Sequence, residues 1–519
     1  MAEWLKDGVI YQIYPVSFYD SNGDGIGDLQ GIKQKLSYVQ DLGANIIWLS
    51  PIYKSPFKDG GYDVQDYYSI DKKFGTMQDF EEMLQTAHDK GIRVLMDLVI
   101  GHTSDKHPWF LQSKKQKPNK YWDYYVWTNS TFAGSSVNGM AKRDGNYMTN
   151  YYSFQPKLNY GFAQVEEKAG GGQYTFDEWR MRYDDNRLEP LKEEIRKIIC
   201  FWLDKGVDGF RVDLAMNMVK GADEKICSWF WNKFIPFTKE KYPDCCFLAE
   251  FGHPEVSWEC GFDIDYFNHE SVGYNELFRS EKGTNILPAF EKGHSYFSAE
   301  GLGEIKPFIE YLQSLIEKTR GKKYWAIPSG FHDIVRLAEQ KSEGILKCIF
   351  AFLLTFKNVP QIYYGDEIGM RHNFTVNKDG GYIRTGARTP MQWTDEKHRG
   401  FTTAVRAYLP IGKQKGISVE AQEKRKNSLL NTVKKLIALR KEYAVLRFEG
   451  DVYVENEGYP LSFHRTLDGE KISVYINPTS KEYNVQALYN EILYNEGCEI
   501  DGNQLTLRKE SFIILFSRE

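Results

Sequence analysis

The sequence predicts an α/β protein: a (β/α)8 TIM barrel with a small domain inserted after strand 3 and a C-terminal antiparallel β domain. Three observations carry this. Short continuous apolar runs alternate with amphipathic segments of helical period, the pattern of a parallel sheet covered by helices. Eight such runs can be counted, which is the number that closes a barrel. The alternation is interrupted once, after the third run, and is replaced near the end by short strands of antiparallel type.

The elements follow in order. VIYQIYP (9–15) reads as the first strand. Ile32, Leu36, Val39 and Leu42 recur at helical spacing and stop at Gly43, and NIIWLSP (45–51) follows. Phe80, Met83, Leu84 and Ala87 stop at Gly91, before RVLMDLVI (93–100). Leu191, Ile195, Ile198, Ile199, Trp202 and Leu203 stop at Gly206, before VDGFRVDLA (207–215). Glycine just past a helix is a usual C-terminal stop. The remaining strands are CCFLAEF (245–251), FDIDYF (262–267), YWAIPS (324–329) and QIYYGDE (361–367). The stretch 104–172 has no helical period and is rich in Tyr, Asn, Gly and Lys, so it is assigned to the inserted domain. The barrel then comprises 1–103 and 173–445, and VYVENEGYPLSFHR, KISVYINP and SFIILFS place a β-sandwich at 446–519.

Composition narrows the function. The net charge of −5 and the scattered Lys and Arg give no footprint for nucleic acid. Seven cysteines, an odd number without metal-binding spacing, suit a reducing compartment. No apolar run is long enough to span a membrane and the N-terminus lacks a signal pattern, so the sequence leads us to expect a cytoplasmic protein, acting as a monomer without membrane partners.

Catalytic groups of such barrels sit where strands end and βα loops begin. Here those ends are acidic. Strand three ends at Asp97 with His102 just after, Arg211 and Asp213 lie on strand four, Glu250 ends strand five, His332 and Asp333 follow strand seven, and Tyr62 and Asp63 follow strand two. A single acid at a strand end is usually a turn or helix cap, but several on one rim raise each other's pKa unless paired or used. Cleavage of a glycosidic bond uses them: a retaining enzyme needs a nucleophilic carboxylate and a second carboxyl acting as acid, then base, about 5–5.5 Å apart. Adjacent strands, roughly 4.8 Å apart, bring Asp213 and Glu250 to that order of separation, with Arg211 fixing the ionised Asp213.

These residues carry a resemblance to a known family. Segments GGYDVQDYYSID (60–71), DLVIGHTSDKHPWF (97–110), QPKLN (155–159), GFRVDLAM (209–216), LAEF (248–251), FHDIVR (331–336) and ARTPMQW (387–393) resemble the α-amylase superfamily of glycoside hydrolases (family 13), nearest to its α-glucosidase and oligo-1,6-glucosidase branch. The resemblance implies Asp213 as nucleophile, Glu250 as general acid/base and Asp333 as transition-state stabiliser. It implies that Tyr62, Asp63, His102, Arg211 and His332 line the first glucose subsite, closed by Arg388 or its neighbour Arg384. The substrate implied is a small α-glucoside of maltose, isomaltose or sucrose type. Three departures bear on linkage preference: Gly101 and Phe331 stand where the family usually has Asn, QPKLN lies some way ahead of the helix that it normally precedes, and Leu214 follows the nucleophile where α-1,6-active relatives often carry Val.

The loop DSNGDGIGD (20–28) is a separate feature. Asp20, Asn22, Asp24, the backbone of Ile26, and Asp28 follow the 1-3-5-7-9 spacing of a calcium loop, although position twelve is Gly31 rather than the bidentate Glu. The resemblance implies a structural Ca2+ or Mg2+ here. Three activities compete: an exo-acting α-glucosidase; a transglucosylase or isomerase, whether trehalose- or isomaltulose-forming or amylosucrase-like; and a non-catalytic scaffold like the transporter heavy chains. The three retained acids and the missing membrane span argue against the last.

Overall fold

The computed structural model describes residues 1–129, 136–137, 141–165, 179–321 and 323–518. Part of the segment assigned to the inserted domain (130–135, 138–140 and 166–172) therefore lies outside the described residues.

Eight parallel strands close into a barrel: β1 (Ile10–Ile13), β2 (Ile46–Leu49), β3 (Arg93–Leu98), β4 (Gly209–Val212), β5 (Cys246–Ala249), β6 (Ile264–Tyr266), β7 (Tyr324–Pro328) and β8 (Val359–Tyr363). Every residue of these strands is buried except Arg93, because side chains on one face fill the barrel and those on the other meet the helices. Each strand is shorter than its apolar run. The runs spill into the βα loops, where Asp213 and Glu250 lie just beyond the last paired residues.

The helices form where the sequence repeats at helical spacing. Helix α1 (Leu29–Leu42) is capped by Asp28, whose carboxylate accepts from Gly31 N at 2.6 Å. It turns its Leu29, Ile32, Leu36, Val39 and Leu42 face to the barrel. It ends at Gly43, whose φ of 99° is open to glycine at little cost. Helix α2 (Met77–Asp89) starts with a capping box between Thr76 and Asp79. Helix α3 (Glu189–Asp204) buries Leu191, Ile195, Ile198, Ile199, Trp202 and Leu203. Each large apolar side chain so buried contributes about 1.5–3 kcal/mol.

Between β3 and α3 the chain leaves the barrel. It forms a short helix (Pro108–Ser113) and a two-stranded ribbon (Ser136–Val137 with Tyr147–Met148), then returns through QPKLN, where Leu158 N bonds Gly101 O at 3.1 Å. After the barrel, strands β9 (Asp451–Asn456), β10 (Leu461–Leu467), β11 (Glu470–Asn477), β12 (Tyr483–Gln486), β13 (Glu491–Asp501) and β14 (Gln504–Arg518) are all connected by antiparallel pairing. The reason is β14: it is long enough to pair with β11 along its second half and with β12 along its first, while β13 follows its other edge. Lys357 fastens this sheet to the barrel, donating to Phe448 O and Gly450 O at 2.7 and 3.0 Å.

Candidate active site

The register of the barrel builds the site. Asp97 on β3 lies opposite Arg211 on β4, and Val212 opposite Ala249 on β5. Asp213 and Glu250, each one residue further on, thus leave neighbouring strands at the same level, the spacing of adjacent strands apart. Their backbones continue the ladder, Asp213 N to Leu98 O and Glu250 N to Val212 O, both at 3.1 Å.

Arg211 is fully buried and meets three carboxylates. Its Nη1 is 2.6 Å from Asp97 Oδ1 and 2.9 Å from Asp213 Oδ1, and its Nη2 is 2.7 Å from Glu250 Oε2. Trp48 Nε1 and Tyr62 OH add hydrogen bonds to Asp97 Oδ2, each at 3.0 Å. One cation cannot balance three clustered carboxylates, so burial makes ionisation of Asp97 and Asp213 costly. Burial, against the pull of Arg211, pushes Asp97 up to about 6. Burial likewise pushes Asp213 well above the ordinary carboxylate range, with Glu250 adding to the effect and Arg211 opposing it.

The backbone after Asp213 is aimed too. Leu214 sits at φ 47°, a left-handed conformation that costs a branched side chain energy, and its N–H donates to Glu250 Oε2 at 2.8 Å. The strained residue thereby orients the second carboxyl.

Asp333 has the opposite environment. Arg384 Nη1 and Arg388 Nη2 both reach its Oδ1, at 2.9 and 2.6 Å, and His332 Nε2 lies 3.3 Å from its Oδ2. Burial opposes ionisation there, but the charges of Arg384 and Arg388 outweigh it and hold Asp333 well below the usual carboxylate range. Burial keeps His332 neutral. The Gln12 amide, 2.9 Å from its Nδ1, selects the tautomer that carries the proton at Nε2, toward Asp333. The ring stacks on Tyr62 with centroids 5.1 Å apart and planes 5° from parallel.

These groups surround a pocket of about 460 Å³ whose walls include Asp59, Tyr62, His102, Tyr151, Asp213, Glu250, Asp333 and Arg384. Arg211, His332 and Arg388 stand behind that wall and act through the residues they hold. Asp63 differs from expectation. It is fully buried and does not line the pocket; its carboxylate accepts from Lys58 N, Asp59 N and Ser55 Oγ at 3.0, 3.1 and 3.0 Å, shaping the loop after β2. The acid on the wall is its neighbour Asp59, which burial pushes up to about 6 and which lies 3.6 Å from Arg384. Gln12, Trp48, Asp59, Asn150 and Tyr152 were not singled out by sequence reasoning. Gln12 left a signal, a lone amide in an apolar strand; the others left none.

In the loop 20–28, side chains turn onto their own backbone. Asp20 accepts from Asn22 N, Gly23 N and Gly25 N at 3.1, 2.8 and 2.7 Å, Asn22 from Asp24 N at 2.9 Å, and Asp24 from Ile26 N at 2.8 Å. Asp28 accepts from Ser21 and caps α1. Among the described residues, no three His, Cys, Asp or Glu side chains converge closely enough to hold an ion. The donor chemistry suits a hard cation, but the present side-chain arrangement does not form its cage.

A parallel barrel with two carboxyls leaving β4 and β5 at one level, and an ionised acid beyond β7, is an arrangement that fits the class of glycosidases. Residues 12–449 match the alpha amylase catalytic domain, and the chain belongs to that family. It is 33% identical to an oligo-1,6-glucosidase of Parageobacillus thermoglucosidasius, the match covering 92% of this chain and 91% of the relative. It is 28% identical to the amino acid transporter heavy chain SLC3A1 of Mus musculus, over 99% of this chain and 78% of that one. Among solved structures, an isomaltulose synthase mutant of Erwinia rhapontici in complex with D-glucose superposes with a TM-score of 0.80 at 25% identity, over the whole of both chains.

Proposed function

We propose that the protein is a retaining, exo-acting α-glucosidase of short α-glucosides. One observation carries this reading: Asp213 and Glu250 share the two terminal nitrogens of Arg211 on the floor of a pocket closed on one side by Asp59, Asp333 and Arg384. In the first step an Asp213 oxygen attacks the anomeric carbon, the glycosidic C–O bond breaks, and the leaving oxygen takes the proton of Glu250. In the second, Glu250 accepts a proton from water, the water oxygen bonds the anomeric carbon, and the Asp213 ester breaks. Asp333, kept ionised by two arginines, faces the positive charge that develops on the sugar.

The relatives named oligo-1,6-glucosidases support an α-1,6 linkage among the substrates. The likeness to isomaltulose synthase supports the second reading, transfer of the glucosyl group to a sugar acceptor. Product analysis on maltose, isomaltose, sucrose and trehalose separates the two: release of both free monosaccharides supports hydrolysis, and an isomeric disaccharide supports transfer. The scaffold reading is disfavoured by the complete set of three acids, and among the described residues no helix is long and apolar enough to cross a membrane. All seven cysteines are free, which supports a reducing, cytoplasmic location.

The proposed structural cation, Ca2+ or Mg2+, belongs to the loop 20–28. Its spacing of oxygen donors supports it; binding requires the carboxylates of Asp20, Asp24 and Asp28 to turn from backbone N–H groups toward the ion. The loop lies against the segment 401–408, with Asp20 N bonding Phe401 O and Tyr408 N bonding Gly25 O, at 3.1 and 2.8 Å.

A further inference from the structure

His102 lines the pocket, yet both its ring nitrogens already have protein partners. Nε2 lies 3.0 Å from Tyr62 O, which can only accept, so Nε2 carries the proton. Nδ1 must then be an acceptor, and the Asn150 amide lies 3.2 Å from it. Gly101 beside His102 offers no side chain for this, and the nearest atom to a Cβ built there is Met218 Cε at 3.6 Å. The hydrogen bond comes instead from the inserted segment, at the start of a turn in which Asn150 N bonds Gln155 O at 3.0 Å. Two residues on, Tyr152 OH accepts from Arg384 Nη2 at 3.1 Å, so the same turn also braces the arginine that holds Asp333.

We propose that Asn150 is a positioning residue of the first-sugar pocket, its amide holding His102 as a neutral imidazole that offers an acceptor at Nδ1. This rests on the glucosyl-binding reading of the pocket. A sugar hydroxyl that donates to Nδ1 takes the place of the Asn150 amide, which is then free to donate to that hydroxyl's oxygen. Asn150 and His102 therefore address one hydroxyl as a donor–acceptor pair. Burial favours the neutral ring, and Lys157 on the bridged QPKLN segment acts in the same direction.

The test combines Asn150→Asp and Asn150→Ala with histidine-selective 15N NMR on sugar-free protein and with kcat/KM for an aryl α-glucoside and its monodeoxy analogues. In the wild type, His102 is expected to show a protonated Nε2 and a bare Nδ1. Asn150→Asp replaces a donor by an acceptor, so the ring takes a second proton and kcat/KM falls about tenfold or more. Asn150→Ala keeps the tautomer and loses up to about tenfold, and this loss vanishes on the one deoxy substrate lacking the shared hydroxyl. A His102 signature unchanged in Asn150→Asp, or an equal loss on every deoxy substrate, overturns the proposal. An inactive wild type would overturn the glucosyl reading instead, since the NMR readout needs no substrate.

Discussion

Arg211 is the residue on which the site turns. A buried guanidinium that serves three carboxylates cannot be removed without leaving uncompensated charge. Arg211→Ala is expected to lower stability by about 3–5 kcal/mol and to reduce turnover by orders of magnitude; an unchanged melting temperature would refute the charge argument. Glu250→Gln tests the acid role. It should abolish cleavage of alkyl glucosides but spare glycosylation by aryl glucosides with good leaving groups, which need little protonation. Equal inactivity on both substrate types would speak against Glu250 as acid. At this scale the sequence was informative for acids at strand ends, since position on a barrel strand decides what a side chain faces. It was uninformative for Asp59 against Asp63, because both sit in one loop and only the turn decides which reaches the pocket. Asn150 was invisible because its partner lies 48 residues away across an irregular insertion.

Among the elements, the closure of the barrel offers an independent check. Glu367, in the turn after β8, receives Tyr11 OH from β1 and Tyr38 OH from α1 on one oxygen, at 2.7 and 2.6 Å. Burial pushes this carboxyl from 4.5 up to about 7. The folded state thus binds the proton more tightly than the unfolded chain. The resulting stabilisation is complete below about 4.5 and is lost as pH rises to about 7, on the order of 2–3 kcal/mol. Glu367→Gln should flatten the decline of melting temperature across that window relative to the wild type; identical slopes would mean that Glu367 does not titrate there. The eight strands and the helices α1 to α3 were legible because parallel strands are apolar on both faces and the helices repeat on one face. Strand ends were not, since apolar residues continue past the last paired residue, as Ile100 does beyond β3. The connected C-terminal sheet was also hidden, because pairing partners of a long strand such as β14 leave no local trace.

For the whole molecule, loop 20–28 and the segment 401–408 bring distant parts of the chain together beside the barrel. A cation there should support this contact and not the chemistry. Chelation is expected to lower the melting temperature while initial rates well below it stay constant; an immediate loss of activity without unfolding would place the ion in the mechanism. The central claim is that Asp213 and Glu250, leaving adjacent strands at one level, act as nucleophile and acid/base with no water between sugar and base. It is tested most directly by NMR of the first glucose formed from an α-glucoside. The account predicts the α-anomer, with the β-anomer appearing only by later mutarotation. Initial formation of the β-anomer would contradict it.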